Sequence, residues 1–151
     1  MKELSYSIAT ENDIPFIKET YDKNIDALHG TYRDYDTWRN LLSNANVVYY
    51  IVNKNIPVAW FRLDLIEEIL WLGMLQVDPN FQRQGIGKYI LTVVEDVAKM
   101  NNVNKIGVHT TDDNLAAQLL YKSAGYCVAE YGECTTADGI ERMGYTFFKE
   151  I

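Results

Sequence analysis

A glycine-containing segment between a predicted strand and a predicted helix has the residue types that bind an anion. Its residues are Gln82, Arg83, Gln84, Gly85, Ile86, Gly87 and Lys88. Backbone N–H groups at the start of a helix are unpaired and carry partial positive charge. The two glycines let the backbone approach an anion closely, and Arg83 and Lys88 add positive charge. The segment therefore favours a pyrophosphate as its ligand.

Two well-known phosphate-binding loops do not fit this segment. A Walker loop requires glycine where Gln82 stands and serine or threonine where Tyr89 stands. A dinucleotide fingerprint requires a third small residue where Ile90 stands. The alternative to an anion site is an ordinary glycine-rich start of a helix.

A second segment, residues 114–126, predicts a helix with room for a ligand on one side. Asn114 is predicted to cap this helix and Gly125 to end it. Asn114, Ala117 and Tyr121 share one side of the helix, at spacings i, i+3 and i+7. Because Ala117 is small, a ligand can lie beside Tyr121. The alternative is that Tyr121 only packs, with its hydroxyl at the surface.

Together the two segments resemble the signatures of the GNAT superfamily of acyl-CoA-dependent N-acyltransferases. The acyl-CoA signature, Arg/Gln-x-x-Gly-x-Gly/Ala at a strand-to-helix junction, is matched from Gln82 to Gly87. The second signature, Asn-x-x-Ala-x-x-Leu-Tyr-x-x-x-Gly-Phe/Tyr, is matched from Asn114 to Tyr126. The order of predicted elements also agrees, so the resemblance covers nearly the whole chain.

The resemblance implies an N-acetyltransferase that transfers an acetyl group from acetyl-CoA to a primary amine by direct attack in a ternary complex. Leu75, Gln76 and Val77 correspond to the splayed strand whose backbone pairs with pantetheine. The segment from Gln82 to Lys88 corresponds to the pyrophosphate loop. Asn114 corresponds to the residue that bonds the pantetheine arm.

The resemblance also implies chemical roles around the thioester. Tyr121 corresponds to the general acid that protonates the CoA thiolate. A thiolate leaving group gains from a nearby O–H donor, and tyrosine is neutral at pH 7 and can supply one. Gly73, in the predicted strand Ile69–Val77, is a candidate for a β-bulge. Such a bulge would free backbone N–H groups to polarise the thioester carbonyl.

The general base has several candidates. Trp71 occupies a position where some members of the superfamily carry a glutamate, and His109 occupies the position of another family glutamate. Histidine has a pKa suited to the proton transfer, and strand alternation puts His109 opposite the core face, toward the cleft. If His109 is only packed or solvent-facing, then Glu67, Glu68 or a water molecule would accept the proton.

The acceptor side is predicted from two variable segments, Leu28–Trp38 and Glu133–Arg142. The first is aromatic and charged with little periodicity, which suits either a pocket wall or a surface loop. The carboxylates that could hold an ammonium group are Asp34, Asp36 and Asp64. The hairpin turn, with Glu141 after it, is similar to superfamily members that acetylate protein N-termini. Small-molecule and peptide amines both remain open as acceptors.

Two other classes of function compete with an enzyme. The first is an acyl-CoA-binding sensor or regulatory domain without turnover, which Trp71 in place of a glutamate favours. Asn114 and Tyr121 favour the enzyme. The second is a phosphate- or nucleotide-binding protein of another class, which the failed Walker and dinucleotide patterns disfavour.

The elements that position these residues follow from hydrophobic periodicity and turn signals, in the order β-α-α-β-β-β-α-β-α-β-β. The predicted strands are Tyr6–Ala9, Val47–Val52, Val58–Leu65, Ile69–Val77, Lys105–Thr110, Tyr126–Glu133 and Arg142–Lys149. The predicted helices run from Thr10 to His29, Tyr35 to Ser43, Gly85 to Met100 and Asn114 to Gly125. This order predicts an α+β fold of the three-layer sandwich type. Its central sheet is mixed, mostly antiparallel, of about seven strands, with helices on both faces.

Length and composition limit the class of protein. The 151 residues predict one domain over residues 1–151, and the net charge of −7 offers no basic field for nucleic acid. No apolar run approaches the roughly 18 residues of a membrane span and no secretory signal is visible, so we expect no membrane partner and a cytoplasmic location. Cys127 and Cys134 are predicted on opposite faces of one strand, too far apart for a disulfide. With two histidines they show no zinc spacing, so no metal is expected, and a homodimer is left open.

Overall fold

The computed structural model describes residues 3–151, in which seven strands form one mixed sheet. The strands are β1 (Ser5–Ile8), β2 (Val47–Asn53), β3 (Pro57–Ile66), β4 (Ile69–Val77), β5 (Lys105–Thr111), β6 (Cys127–Thr135) and β7 (Glu141–Glu150). The helices are α1 (Ile14–Lys23), α2 (Ile25–Leu28), α3 (Tyr35–Leu42), α4 (Ile86–Met100) and α5 (Leu115–Ser123). The strand order is β1-β2-β3-β4-β5-β7-β6. Neighbouring strands are antiparallel except β4 and β5, which confirms the predicted mixed, mostly antiparallel sheet.

Helices cover both faces of the sheet because central strands such as β3 bury side chains on both of their sides. Neighbouring residues of β3 show this: Trp60 packs in a core cluster with α1 and α3, and Phe61 packs in a second cluster with α4. Successive side chains of a strand point to opposite faces, so the two clusters lie on opposite faces of the sheet. The apolar stripe of α4, which includes Ile90 and Val94, is fully buried in the second cluster. This is the three-layer arrangement predicted from the sequence.

The first predicted helix is interrupted, which corrects the expectation of one helix from Thr10 to His29. The chain makes a 3₁₀ turn at Glu11–Asp13, and the following helix breaks at Asn24, which has φ −102° and ψ 7°. The Asn24 side chain amide donates to Gln76 Oε1 at 3.0 Å and to the Val77 carbonyl at 3.2 Å. An asparagine that bonds to a distant strand is not detected by helical periodicity. The predicted end at His29 is confirmed, since His29 has φ 51° and closes α2.

The two cysteines lie on the same face of β6, which corrects the expectation of opposite faces. Cys127 pairs with Phe148 and Cys134 with Arg142, positions an even number of residues apart on β7. The reason is a bulge at Ala129, where β6 gains one residue relative to β7. Both thiols are exposed and free.

No helix within residues 3–151 has both the length and the apolar character that crossing a membrane requires.

Candidate active site

A cleft opens at the centre of the sheet because β4 and β5 pair over only three residues. Their parallel pairing ends at Leu72 and Val108. Immediately afterwards β4 contains one extra residue, Gly73, because Arg62 of β3 pairs with Met74 and the next residue of β3 pairs with Leu72. The bulge predicted at Gly73 is thus confirmed, and β4 leaves β5 from that residue onward.

The cleft has a volume of about 1070 Å³ and brings together the predicted site residues. Those on its walls are Leu75, Gln76, Val77, Gln82, Arg83, Gly85, Ile86, Gly87, Lys88, His109, Asn114 and Tyr121. Gln84 is not on the wall, and its side chain oxygen accepts a hydrogen bond from Lys54 Nζ at 3.2 Å. Two segments far apart in the sequence therefore face one space.

The first turn of α4 forms one end of the cleft with its backbone exposed. Gly85 precedes the helix with φ 82°, and Arg83 also adopts a left-handed conformation with φ 62°. No side chain caps the helix, and a side chain carbon added at Gly85 would meet no atom within 4 Å. The first residues of this 15-residue helix line the cleft, and a helix start of this kind suits an anion.

A hydrogen bond at the start of α5 fixes the orientation of the Asn114 side chain. Its Oδ1 caps α5 by accepting from the Ala117 N–H at 3.1 Å. The preceding turn is held by Gln118, a buried residue whose Nε2 donates to the carbonyls of Thr111 and Asp112 at 3.2 and 2.9 Å. The Nδ2 of Asn114 remains as the donor at the cleft wall.

Tyr121 is at once a core residue and a cleft residue. It is 6% exposed and packs against the rings of Tyr126 and Phe147, each at 5.9 Å between centroids. Burial raises the pKa of Tyr121 to about 12. Tyr121 lies on the cleft wall, and its raised pKa keeps the hydroxyl protonated and able to donate at neutral pH.

His109 lies at the point where β4 and β5 separate. Ile106 and Val108 of the same strand are buried against α4, so the predicted alternation of β5 is confirmed. The imidazole stacks on the Trp71 indole at 4.6 Å between centroids, and its Nδ1 lies 2.9 Å from Thr146 Oγ1.

Burial lowers the pKa of His109 below its usual value, and the nearby Glu130 carboxylate opposes this effect. The ring is therefore mainly neutral at pH 7. Because Nδ1 is occupied by Thr146, Nε2 is the nitrogen left to exchange a proton with a ligand or water.

The glutamates considered as alternative bases lie outside the cleft. Glu67 and Glu68 form the exposed turn between β3 and β4, with φ 50° and 65°. Neither lies on the cleft wall. Their turn role, which the sequence already indicated, is confirmed.

The three carboxylates considered for an ammonium group already have partners. Asp34 Oδ1 caps α3 by accepting from the Thr37 N–H at 2.8 Å. Asp36 pairs with Arg39 at 3.1 Å, and Asp64 pairs with Arg62 at 3.2 Å. None of them lies on the cleft wall, which corrects the expectation that one of them holds the acceptor.

The variable segments contribute to the cleft only in part. Leu28 lies on the wall, whereas Trp38, at the other end of the same segment, is fully buried in the core with α1. On the β6–β7 side the wall includes Glu133 and Thr136. Only part of each segment predicted to bind the acceptor therefore reaches the cleft.

Sequence reasoning missed a contact that joins three loops beside the cleft. His29 Nε2 lies 2.7 Å from Asp113 Oδ2, and the His29 carbonyl accepts from the Asp138 N–H at 3.1 Å. The end of α2 is thereby tied to the turn before α5 and to the β6–β7 hairpin. Asp113 is next to the motif residue Asn114, but no local pattern relates it to a histidine 84 residues away.

Among the described residues, no group of three or more histidine, cysteine, aspartate or glutamate side chains is arranged to hold a metal ion.

Comparison with known proteins agrees with this arrangement. The model of the acetyltransferase (GNAT) family matches residues 14–126, and no curated protein is significantly similar in sequence. Among solved structures, the ribosomal-protein-S18-alanine N-acetyltransferase from Escherichia coli is 21% identical, with a TM-score of 0.79 over 99% of this chain and 94% of that chain. The spermidine N-acetyltransferase from Vibrio cholerae, in complex with CoA and spermine, is 16% identical, with a TM-score of 0.85 over 99% and 96%.

The Brucella melitensis ribosomal-protein-alanine N-acetyltransferase is 18% identical, with a TM-score of 0.83 over 97% of this chain and 99% of that chain. At these identities the likeness is one of fold. The fold and the parted central strands define an acyl-CoA N-acyltransferase architecture. The chain belongs to the GNAT acetyltransferase family and is an acyltransferase.

Proposed function

We propose that this protein transfers an acetyl group from acetyl-CoA to a primary amine by direct attack within a ternary complex. One observation carries the proposal: the two motif segments, the parted strands and two proton-exchanging side chains line a single cleft. The acceptor is a small molecule or a peptide that bears an amine. Residues 1–151 act as one catalytic domain.

The acetyl-CoA pyrophosphate binds at the start of α4, from Gln82 to Lys88. The exposed first turn and the charges of Arg83 and Lys88 support this position. The pantetheine arm lies along Leu75 to Val77, where β4 has no strand partner on the β5 side. Asn114 donates from its Nδ2, because its Oδ1 already caps α5.

Tyr121 acts as general acid to the departing CoA thiolate by donating a hydrogen bond from its hydroxyl to the sulfur. Its raised pKa, which keeps the hydroxyl protonated, and its place on the cleft wall support this role. A phenol with this pKa is a weaker acid than a free thiol, whose pKa is about 8.5. Its contribution is therefore a hydrogen bond that strengthens as negative charge develops on sulfur.

His109 accepts the proton that the ammonium group must lose before it attacks. The support is its neutral state at pH 7 and its Nε2, which remains after Nδ1 bonds to Thr146. The amine would approach where β4 and β5 separate, next to Trp71. One intervening water molecule is sufficient for the transfer.

A sensor that binds acyl-CoA without turnover is the second candidate. It is favoured by Trp71, whose ring stacks on His109 at a position where some members of the superfamily carry a glutamate. A sensor needs the same cofactor cleft but no exchangeable proton on the acceptor side. Binding and turnover must therefore be measured separately.

The test is acetyl-CoA binding by calorimetry, followed by a thiol-release assay with a panel of amines. The panel contains polyamines, amino acids and short peptides with free N-termini. Release of CoA that depends on one amine class, with an acetylated product of the expected mass, supports the enzyme. Tight binding without release across the panel supports the sensor, and lack of binding contradicts both.

A further inference from the structure

The side chain of Arg62, on β3, lies directly over the glycine of the β4 bulge. A side chain carbon added at Gly73 would come within 2.7 Å of Arg62 Cζ and closer still to two guanidinium nitrogens. No carbon tolerates such distances, so the guanidinium fills the space that a side chain at position 73 would need. Only glycine at that position permits this contact.

Asp64 holds this guanidinium in one orientation. Arg62 Nε and Nη2 donate to the two carboxylate oxygens of Asp64 at 3.2 and 3.3 Å. The side chains are 22% and 16% exposed, so both are largely withdrawn from water. The paired, two-point geometry fixes the plane of the guanidinium as well as its distance.

A largely buried ion pair of this kind adds little net stability, because the loss of hydration offsets the attraction between the charges. Its position is more informative than its energy. The register of β3 and β4 shifts between Arg62 and Leu63, so the pair contacts the strand at the extra residue. Arg62 itself does not lie on the cleft wall.

We propose that Arg62, held by Asp64, is a positioning residue that fixes the Gly73 bulge so that the backbone N–H groups after it face the thioester carbonyl. The inference rests on the proposed function, in which acetyl-CoA occupies the cleft. Arg62 acts through the strand, because it touches Gly73 and not the cleft. A glycine bulge is intrinsically mobile, and polarisation of a carbonyl requires donors held at about 2.7–3.1 Å from the oxygen.

The test uses acetyl-CoA with a ¹³C-labelled carbonyl, bound to the protein without an acceptor. The carbonyl chemical shift and stretching frequency report how strongly the protein polarises the thioester. The variants are Asp64→Asn, which is nearly isosteric, and Arg62→Met, which keeps most of the chain length. Glu95→Gln is the matched control, because Glu95 forms a similarly buried ion pair with Lys149 away from the cleft wall.

We expect the wild type and Glu95→Gln to polarise the bound carbonyl, and both test variants to return it most of the way to its value in solution. Acetyl-CoA affinity should change less than threefold. With any amine accepted in the panel, kcat should fall at least tenfold while the KM for acetyl-CoA is retained. A loss of stability alone would not produce this separation.

An unchanged carbonyl signal in Asp64→Asn and Arg62→Met overturns the inference and leaves the proposed function intact. Loss of acetyl-CoA binding in these variants, with binding retained in the control, also overturns it, because Arg62 would then shape the whole cleft. Failure of the wild type to bind acetyl-CoA contradicts the proposed function itself. If Arg62→Met does not fold, Asp64→Asn alone decides the question.

Discussion

The environment of Tyr121 keeps its hydroxyl protonated. Tyr121 belongs to the core cluster that contains α4 and also lies on the cleft wall. Burial disfavours the phenolate, so the pKa rises to about 12 and the proton is retained through the neutral range. The sequence offered packing and catalysis as alternatives for this residue. The structure shows the packing, and the catalytic role stays a prediction.

Tyr121→Phe should lower kcat about 10²- to 10⁴-fold, the usual range for a lost general acid. The ring and its packing remain, so the dissociation constant of acetyl-CoA should change little. Turnover and calorimetry on the same preparation measure the two effects. Full activity in the variant would show that the thiolate takes its proton from water.

His109 predicts a dependence of kcat/KM on pH. Its pKa lies below the usual 6.5 because burial disfavours the imidazolium. The neutral form is the base, so kcat/KM should rise with pH through an apparent pKa below 6.5 and level off before pH 7.5. A rise caused by the amine lies near the pKa of that amine, about 8 for a peptide N-terminus and about 10 for a polyamine, and so lies above the histidine limb.

His109→Ala should remove the lower limb of this profile and slow the reaction. Thr146→Val is the informative companion, because it removes the hydroxyl at 2.9 Å from Nδ1 and keeps the imidazole. The pH profile of Thr146→Val should retain the lower limb, with a shifted apparent pKa. An unaltered profile in His109→Ala would transfer the base role to water.

At the scale of elements, most of the fold could be predicted because its signals are local. Strand β4 has the predicted limits, and Gly85 stands before α4 as a left-handed residue. The errors have long-range causes: the Asn24 break follows from a bond to β4, and the cysteine faces follow from the bulge at Ala129. Hydrophobic periodicity along one segment predicts neither the Asn24 break nor the Ala129 bulge, because in each case the partner lies on another strand.

In the candidate site, too, the local features were predictable and the long-range contacts were not. The motif residues were predictable because the local sequence determines the backbone geometry at a strand-to-helix junction. The ion pair of Arg62 with Asp64 and its contact with Gly73 were not predictable, because the spacing of these residues does not indicate that β4 lies beside β3 at this point. For the same reason the sequence left Asp64 as one of three carboxylates that could hold an ammonium group, although Arg62 already compensates its charge.

The junction before α4 supplies a prediction with a close control. Gly85→Asp puts a carboxylate near the start of α4 where an anion should bind, and the added Cβ would meet no described atom within 4 Å. Acetyl-CoA affinity should fall at least tenfold while the fold is retained. Gly139→Asp has the same left-handed strain, with φ 80° and the same open space, in the turn between β6 and β7. The affinity of Gly139→Asp for acetyl-CoA should equal that of the wild type.

Equal losses in the two glycine variants would attribute the effect of Gly85→Asp to backbone strain. Circular dichroism on both proteins checks that each is folded. Calorimetry with acetyl-CoA gives the two dissociation constants.

At the scale of the whole molecule, the sheet is two parts joined at a narrow seam. β1 to β4 form one antiparallel part and β5 to β7 the other, and only Leu70–Leu72 pairs with Ile106–Val108 between them. α4 spans the seam on one face, through the core cluster that contains residues of both parts. A ligand between the parted strands would supply the backbone partners that β4 and β5 do not give each other.

Acetyl-CoA should therefore raise the thermal stability of the protein and protect the seam. At a ligand concentration of 100 times Kd, binding to the native state contributes about 2.7 kcal/mol. For a domain of this size that corresponds to a rise in Tm of about 5–11 °C. Hydrogen exchange should slow at Met74–Val77 and at the start of α4, more than at β1 on the sheet edge. Gly85→Asp with a tenfold weaker affinity should show only about half of this stabilisation, about 1.4 kcal/mol, at the same concentration. Uniform protection across the sheet would contradict a ligand seated at the seam.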